Sequence, residues 1–301
     1  MTSVDLLTVG ETMALVTGDV ADGSALSLST GGAESNVAIG AARRGIRSAW
    51  VSRVGDDPLG VMVRDAVASR GVDVTGVRTD AARRTGLMVK QPSPTGSRVF
   101  YYRDGSAASA LSPSDLERAP EARVVHTTGI TPALSDSARA LVDDILGTAE
   151  VVSFDVNYRP VLWESKDAAA TALLNLARRA RIVFVGRDEA EVLWATTTAE
   201  SVRTLLPDVP HLVIKDGDVE AVEFHGADVT RVPALKVEVL EPIGAGDAFA
   251  AGWLTGYLRN LSPAERLAAG HASAAAVLMS AHDTAAPAAA SRTTPSEENH
   301  R

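Results

Sequence analysis

The amino-acid sequence predicts an α/β fold in which helices cover both faces of a mostly parallel sheet. Short apolar runs rich in Val, Ile and Leu alternate along the chain with runs that have the apolar periodicity of a helix. Several short runs are almost continuously apolar, as expected for strands that are covered on both faces. Regular alternation of strands and helices implies right-handed crossovers and therefore parallel strand pairing.

Each element is expected where its pattern lies along the chain. The apolar runs predict strands at residues 4–10, 48–55, 123–129, 150–157, 181–186 and 211–217. The helical runs predict helices at residues 34–44, 58–70, 135–147, 166–180, 188–195, 199–206, 246–258 and 263–280. In such a sheet the ligand crevice lies at the carboxyl ends of the strands. The strand-end residues include Glu11, Asn157, Arg159, Glu189 and Lys215.

Two segments, residues 12–30 and residues 85–103, interrupt this alternation. The second has two strand-like runs around Pro92, Pro94 and Gly96, which is the pattern of a β-hairpin. We expect the two segments to pair into a small sheet outside the main layer, as a lid would. Two unpaired surface loops are the alternative.

The composition allows one large globular domain or two small ones, and we expect a single domain over residues 1–285 followed by a flexible tail over residues 286–301. The net charge of -9 argues against nucleic acid or an anionic membrane as the main partner. The absence of cysteine excludes disulfides and favours a cytoplasmic location. We expect no signal peptide and no membrane span, because no apolar run approaches the roughly 18 residues that a span requires.

Residues 244–247 read Gly-Ala-Gly-Asp, directly before a helix of small and apolar residues. A helix start presents unpaired N–H groups, and Gly244 and Gly246 lack the Cβ atoms that would keep a ligand away from them. This arrangement suits anionic oxygens, including those of a phosphoryl group during transfer. Asp247 could accept a proton from an attacking hydroxyl. Alternatively, Asp247 only caps the helix.

A second glycine-rich stretch, Gly-Gly-Ala-Glu-Ser-Asn, occupies residues 31–36. Gly31 and Gly32 would let a ligand approach the backbone closely, and Asn36 offers both donors and an acceptor. The helix that follows is rich in Ala and Gly, so it can pack closely on the sheet. On its own, the stretch could also be an ordinary strand-to-helix turn.

Together the two stretches resemble the two signatures of the ribokinase (PfkB) family of carbohydrate kinases. Their order, their wide separation and the intervening strand–helix alternation match over residues 4–285. The resemblance implies a ribokinase-like three-layer α/β sandwich with a β-sheet lid, and transfer of the γ-phosphoryl group of ATP to a sugar hydroxyl. It implies that Asp247 is the catalytic base and that the backbone of Gly244, Ala245 and Gly246 forms the anion hole.

Two further runs locate the nucleotide by the same resemblance. Glu189 lies where the family often has Asn-x-x-Glu and would help to place Mg2+ through water, although Gly186 stands where the Asn usually is. Glu189 could instead be a solvated acid at a helix start. Residues 213–222 resemble the strand and turn beside the nucleotide. The implied nucleotide-binding residues are Glu189, Lys215, Gly217, Gly244 and Gly246.

Residues 98–109, 128–135 and 153–163 resemble the 2-keto-3-deoxygluconate kinase branch of the family. In that branch a lid Tyr and Arg, and the Arg of an Asn-Tyr-Arg run, contact the sugar acid. A carboxylate is well matched by the planar fork of donors of Arg, whereas a neutral hexose needs no such cation. The alternative is that these arginines pair with acidic residues on the surface. The implied substrate-binding residues are Gly31, Gly32, Asn36, Tyr101, Arg103, Arg159 and Asp247.

Three positions depart from the family pattern. Met88 lies where the branch can have a second lid Tyr, and Glu220 replaces a residue that is often small. Glu241 stands where Asp is common, near a monovalent-cation site of some members, so no potassium dependence is expected.

The sequence therefore predicts an ATP- and Mg2+-dependent kinase that phosphorylates 2-keto-3-deoxygluconate at the C6 hydroxyl and yields 2-keto-3-deoxy-6-phosphogluconate. Alternatives are the same fold acting on 5-keto-2-deoxygluconate, fructose or a pentose, or a non-catalytic sugar-binding sensor. Intact Asp247 and its two glycines argue against the sensor. Because lids of this type often pair between subunits in the family, we expect a homo-oligomer formed through the lid.

Overall fold

The computed structural model describes residues 3–19, 26–93, 96–240 and 242–280. The strands, in chain order, are β1 (Val4–Val9), β2 (Met13–Thr17), β3 (Ser27–Gly31), β4 (Ser48–Val51), β5 (Arg53–Gly55), β6 (Arg78–Asp80), β7 (Leu87–Ser93), β8 (Gly96–Tyr102), β9 (Ala122–Thr128), β10 (Val152–Asp155), β11 (Ile182–Gly186), β12 (His211–Asp216), β13 (Glu220–His225) and β14 (Asp228–Pro233). The helices are α1 (Ala33–Ala42), α2 (Pro58–Ala68), α3 (Asp136–Thr148), α4 (Lys166–Ala177), α5 (Arg187–Trp194), α6 (Ala199–Leu205), α7 (Ala245–Leu258) and α8 (Pro263–Leu278).

The central sheet has eight strands in the order β14-β13-β12-β11-β10-β9-β1-β4. The strands from β12 to β4 pair in parallel, which confirms the predicted parallel sheet. Strands β13 and β14 extend it as an antiparallel edge that the sequence analysis did not predict. The parallel strands all point their carboxyl ends toward the same edge, which places the polar residues that follow them side by side.

Helices cover both faces of this sheet. Strand β11 shows why its sequence is continuously apolar, since Val183 and Val185 pack beneath α4, α5 and α6. Ile182 and Phe184 point the other way, into the cluster that α7 builds around Trp253. Helix α3 packs on the first face and α1 and α8 on the second. The predicted three-layer α/β sandwich is confirmed.

Helix starts differ in how they are capped. Helices α3, α4 and α8 follow Ser135, Ser165 and Ser262, whose hydroxyls accept from a backbone N–H in the first turn. Helix α7 instead follows Gly244, which has a φ of 83° and makes no side-chain cap. Glycine is favoured there because that φ is costly for residues with a Cβ atom. The backbone N–H groups at the start of α7 are therefore not covered by a capping side chain.

The two segments that interrupt the alternation form a separate four-stranded sheet in the order β3-β2-β7-β8. The predicted hairpin is present as antiparallel β7 and β8, and β2 joins the halves by pairing in parallel with β7. Met13, Leu15 and Met88 form a buried cluster on this small sheet. The alternative of two unpaired surface loops is thus wrong, although residues 20–25 of the first segment lie outside the described residues.

One predicted strand, over residues 48–55, is wrong as a single element. Strand β4 stays in the main sheet, whereas β5 leaves it and pairs in parallel with β6. Arg53 directs this departure, because its Nε donates to both oxygens of the buried carboxylate of Asp115, each at 3.0 Å. A buried carboxylate requires such a partner.

The predicted strand over residues 150–157 also ends early, at Asp155, because Asn157 has a φ of 39° that a strand cannot contain. Among the described residues, no helix is long and apolar enough to span a bilayer. The predicted tail over residues 286–301 and the departure at Glu241 lie outside the described residues.

Candidate active site

A cavity of about 890 Å³ opens where the carboxyl ends of β10, β11 and β12 meet the start of α7 and the small sheet. The crevice position expected for a parallel sheet is therefore the one observed. The structure brings all of the sequence-predicted site residues to its wall. They are Gly31, Gly32, Asn36, Tyr101, Arg103, Arg159, Glu189, Lys215, Gly217, Gly244, Ala245, Gly246 and Asp247.

Asp247 lies in the first turn of α7 and is held by two side-chain amides. Its Oδ2 accepts a hydrogen bond of 2.9 Å from Nδ2 of Asn36, and its Oδ1 accepts one of 3.4 Å from Nδ2 of Asn157. Burial raises the pKa of Asp247 to about 7, against the opposing effect of the Asn36 hydrogen bond and with a further contribution from the charge of Asp155. A carboxyl group with a pKa near neutrality can exchange a proton with a bound hydroxyl.

Asn36 contacts the proposed base directly. Its amide nitrogen donates to Asp247 and the residue lines the cavity, and its contact with substrate stays a prediction. Asn157 makes the equivalent contact from the other side and was recognised in the sequence only as a strand-end residue. Since the two residues are separated by more than a hundred positions, only the fold brings them to the same carboxylate.

Lys215, the penultimate residue of β12, lines the cavity and forms an ion pair with Asp155, with Nζ 2.7 Å from Oδ2. Burial alone would lower the pKa of Lys215, but the negative charges of Asp155 and Glu189 outweigh it and the pKa is raised. The other oxygen of Asp155, Oδ1, is buried and has no hydrogen-bond partner. Asp155 was not among the predicted site residues, although it lies in a predicted strand two positions before Asn157.

Glu189 combines a capping role with a place on the cavity wall. Its Oε2 accepts from the backbone N–H of Gly186 at 2.9 Å, which caps α5, and its Oε1 accepts from the N–H of Tyr158 at 3.0 Å. Burial raises the pKa of Glu189 against the opposing charge of Lys215. A Cβ atom at Gly186 would lie 2.7 Å from Oδ1 of Asp188, so a larger residue there would have to displace that side chain. A carboxylate that ties β11, α5 and the loop after β10 together fixes this part of the wall.

The two predicted arginines differ in how they are held. Arg103, after β8, forms a buried ion pair with Glu11, with its Nε 2.8 Å and its Nη2 2.5 Å from Oε2. Arg159 is exposed at the cavity wall, and its Nη1 donates to the carbonyl of Tyr158 at 3.1 Å. Within the described parts of the chain it has no ion pair with an acidic side chain. The two residues therefore offer one anchored cation and one available cation.

The part of the small sheet that lines the cavity presents fewer hydroxyl groups than the branch pattern implies. Tyr101 is 43% exposed and lines the cavity. Its direct neighbour across the hairpin is Met88, which also lines the cavity and supplies no hydroxyl. Only one of the two lid tyrosines is thus available from this pair of positions.

An apolar section of the cavity follows β14 and was not found from the sequence. It is lined by Ala234, Leu235, Val237, Val239, Ile243, Ala274 and Leu278. The residues after β14 alternate apolar and polar side chains but do not form a strand. A search of the sequence for strands and helices therefore does not identify them as part of a site. A wall of this kind suits a flat apolar group such as a heterocyclic base.

Comparison with known proteins agrees with this geometry. The profile of the pfkB family carbohydrate kinases matches residues 4–289. The chain is 37% identical over 244 residues to the 2-dehydro-3-deoxygluconokinase of Thermoproteus tenax, a match that covers 78% of this chain and 75% of that protein. It is 35% identical over 284 residues to the 2-dehydro-3-deoxygluconokinase of Bacillus subtilis (strain 168), covering 89% and 88%.

Solved structures show the same architecture. The PfkB protein from Polaromonas sp. JS666 superposes with a TM-score of 0.82 at 33% identity, covering 90% of this chain and 95% of that chain. A sugar kinase from Pyrococcus horikoshii, whose structure was solved in complex with ATP, superposes with a TM-score of 0.80 at 24% identity, covering 93% and 95%. The chain therefore belongs to the pfkB family of carbohydrate kinases and is a phosphotransferase that acts on a sugar hydroxyl.

Proposed function

We propose that the protein is an ATP-dependent sugar-acid kinase whose substrate is 2-keto-3-deoxygluconate (2-dehydro-3-deoxygluconate), phosphorylated at the C6 hydroxyl. The observation that carries the proposal is that Arg103 and Arg159 line the same cavity as Asp247. The two 2-dehydro-3-deoxygluconokinases of similar sequence support it. A substrate with a carboxylate at one end and a hydroxyl at the other would use both features.

Asp247 is the proposed general base. Its carboxylate takes the proton of the C6 hydroxyl as the hydroxyl oxygen attacks the γ-phosphorus of ATP. One P–O bond forms to the sugar, the bond between the γ-phosphorus and the bridging oxygen breaks, and ADP leaves with that electron pair. The backbone of Gly244, Ala245 and Gly246 lies at a helix start without a side-chain cap, and its N–H groups would stabilise the charge on the transferring group.

ATP would lie with its phosphates near Lys215, Gly217 and the glycines of α7, and with its base against the apolar section after β14. The donor set also fits Mg2+, since Asp155 has a buried oxygen without a partner and Glu189 places a second carboxylate on the same wall. These two carboxylates would hold the ion through water, and bound Mg2+ would neutralise phosphate charge. Lys215, already paired with Asp155, would contribute a fixed positive charge beside them.

The arginines would recognise the carboxylate of the sugar acid in different ways. Arg159 has no competing ion pair among the described residues, so its full charge is available. Arg103 uses Nε and Nη2 for Glu11, which leaves Nη1 as a donor of fixed position. A charge-assisted hydrogen bond contributes about 1.5–3 kcal/mol net, so Arg159 should dominate the preference for an acid.

A PfkB-type kinase for another sugar is the second candidate, and one observation favours it. The charge of Arg103 is already balanced by Glu11. Binding a neutral substrate there would therefore cost less free energy than binding it beside two arginines without acidic partners. The neutral sugars to be compared are therefore fructose and a pentose, and 5-keto-2-deoxygluconate is added as a second sugar acid. A non-catalytic sensor would bind such sugars without turnover.

We predict that Arg159→Ala lowers kcat/KM for 2-keto-3-deoxygluconate by about 10- to 150-fold. The value for fructose should change far less, because fructose has no carboxylate for Arg159 to contact. A coupled assay of ADP release over the four sugars, with wild type and variant, measures both values. Arg118→Ala, which removes an exposed arginine that does not line the cavity, is the matched control.

The assay separates the candidates. A wild type that prefers fructose, or a variant that loses equal activity toward both substrates, would exclude the sugar-acid assignment and favour another sugar. Sugar binding without any release of ADP above background would instead identify a sensor.

A further inference from the structure

We propose that Asn157 is a positioning residue for Asp247. Its amide nitrogen fixes one oxygen of the carboxylate while Asn36 fixes the other, and its amide oxygen accepts a hydrogen bond from the sugar. The inference rests on the proposed role of Asp247 as the base. It adds a residue that links the orientation of the base to the presence of substrate.

The first support is the backbone conformation of Asn157. Its φ of 39° lies in the left-handed region, which non-glycine residues rarely adopt. Of the residues described, Ala195 and Asn260 also have positive φ, but each follows the end of a helix, where such a conformation is common. Asn157 follows a strand at the cavity wall, where an unusual backbone is often retained because it aims a side chain.

The second support is the hydrogen bonding of the Asn157 side chain. The residue is 6% exposed, and its Nδ2 lies 3.4 Å from Oδ1 of Asp247. Because the oxygens of an ionised carboxylate can only accept hydrogen bonds, the amide of Asn157 must present its nitrogen to Asp247 and its oxygen to the other side. That oxygen is buried and has no partner. Since the residue lines the cavity, a substrate hydroxyl is the donor that would satisfy it.

The charges around Asp247 make its ionisation a sensitive readout. Asp155 of β10 disfavours the ionised form, whereas Lys215 of β12 and Arg159 of the loop after β10 favour it. The two amides add hydrogen bonds to the ionised form, which is the form that can take a proton. Removing one amide should therefore raise the pKa of Asp247 and shift the pH at which activity appears.

The test uses two substitutions that tolerate a positive φ. Asn157→Gly keeps the backbone conformation and removes the amide. Asn157→Asp keeps the shape and places a second carboxylate against Asp247. In wild type, kcat/KM should rise with pH through about 7, because Asp247 must be ionised to act and its pKa is about 7. For Asn157→Gly we expect this rise to move up by about one pH unit, with kcat lowered about 10- to 100-fold.

Asn157→Asp should move the rise further upward, because two carboxylates in contact cannot both ionise readily. KM for ATP should stay near the wild-type value in both variants, since Asn157 is not assigned to the nucleotide. Thermal unfolding of each variant shows whether the fold is retained. A purely structural residue would lower stability without moving the pH profile.

The outcomes distinguish this inference from the proposed function. If both variants fold and keep the wild-type pH profile while Asp247→Asn is inactive, Asn157 is not a positioning residue and the base assignment stands. If Asp247→Asn retains more than about a third of the wild-type kcat, the proposed role of Asp247 fails, and this inference fails with it.

Discussion

Two carboxylates on the α7 side of the sheet, the half-buried Asp247 and the fully buried Glu223, have opposite surroundings. Glu223 of β13 is fully buried and forms an ion pair with Arg266 of α8. It also accepts from Nδ1 of His211 at 3.2 Å and from Nε1 of Trp253 at 2.9 Å. Burial would raise the pKa of Glu223, but the hydrogen bonds and the charge of Arg266 outweigh it and the pKa is lowered. Among the described residues, the side-chain donors to Asp247 are the two neutral amides of Asn36 and Asn157, and its pKa is raised.

The difference shows that the partners of a buried carboxylate, more than burial itself, decide whether it holds or exchanges a proton. A carboxylate with a cationic partner stays ionised and joins elements together. A carboxylate whose partners are neutral donors has its pKa raised toward neutrality, so it can take a proton from a hydroxyl group and act as a base. Glu34 refines the rule, because burial raises its pKa as well, yet two threonine hydroxyls hold it away from the cavity lining. Access to a cavity is therefore the second requirement.

The largest expected effect is on turnover. Asp247→Asn should lower kcat by about 10²- to 10⁴-fold, because the amide cannot accept the proton, while KM for ATP changes little. Steady-state kinetics with the best sugar of the panel measures it. Retention of most of the turnover would remove Asp247 from the role of base.

The same substitution should stabilise the fold at alkaline pH. Because the pKa of Asp247 is raised from 3.8 to about 7, ionising it in the folded state lowers the free energy of unfolding. This loss grows as pH rises between those two values. Water in the cavity screens the effect, so we expect a gain on the order of 1 kcal/mol for Asp247→Asn at pH 8 and none at pH 3. Denaturant unfolding at the two pH values checks the sign.

Glu223→Gln should have the reverse pattern. Loss of the charge leaves Arg266 buried without its counter-ion, which should lower the free energy of unfolding by about 3–5 kcal/mol. In the protein that remains folded, kcat should stay within about threefold of wild type, because Glu223 does not line the cavity.

Urea unfolding and kinetics at the same temperature test this pair of expectations, and exposed Glu150→Gln is the matched control. The pKa of Glu223 is lowered in the fold, so its stabilisation is present above pH 4.5 and is lost as pH falls through the folded value. A Glu223→Gln variant with unchanged stability, or one that is stable but inactive, would contradict the expectation that Glu223 stabilises the fold and Asp247 serves catalysis.

The sequence was sufficient for the features that depend on local pattern. The parallel strands, the glycine-rich start of α7 and the hairpin of β7 and β8 were predicted because each depends on residues close together in the chain. The departure of β5 could not be predicted, since it depends on a contact between Arg53 and Asp115. For the same reason, the pairing of Asn36 and Asn157 on one carboxylate follows from the strand order and not from either motif.

Glu189 provides an intermediate case between the two carboxylates, and the smallest expected effect. Its pKa is raised by burial, but both oxygens are occupied by backbone N–H groups and Lys215 lies nearby. If it also holds Mg2+ through water, Glu189→Gln should raise the Mg2+ concentration for half-maximal activity by about 10-fold at fixed ATP.

Glu265 offers a matched control for this last effect, because it caps α8 in the way that Glu189 caps α5. Its side chain accepts from the backbone and hydroxyl of Ser262 and does not line the cavity. Glu265→Gln and Glu189→Gln each keep a side-chain oxygen that can accept the capping hydrogen bond, so both variants should keep their helix caps. Only the second should move the Mg2+ titration. If both leave that titration unchanged, capping is the whole role of Glu189, and the metal must be placed by Asp155 and the nucleotide phosphates.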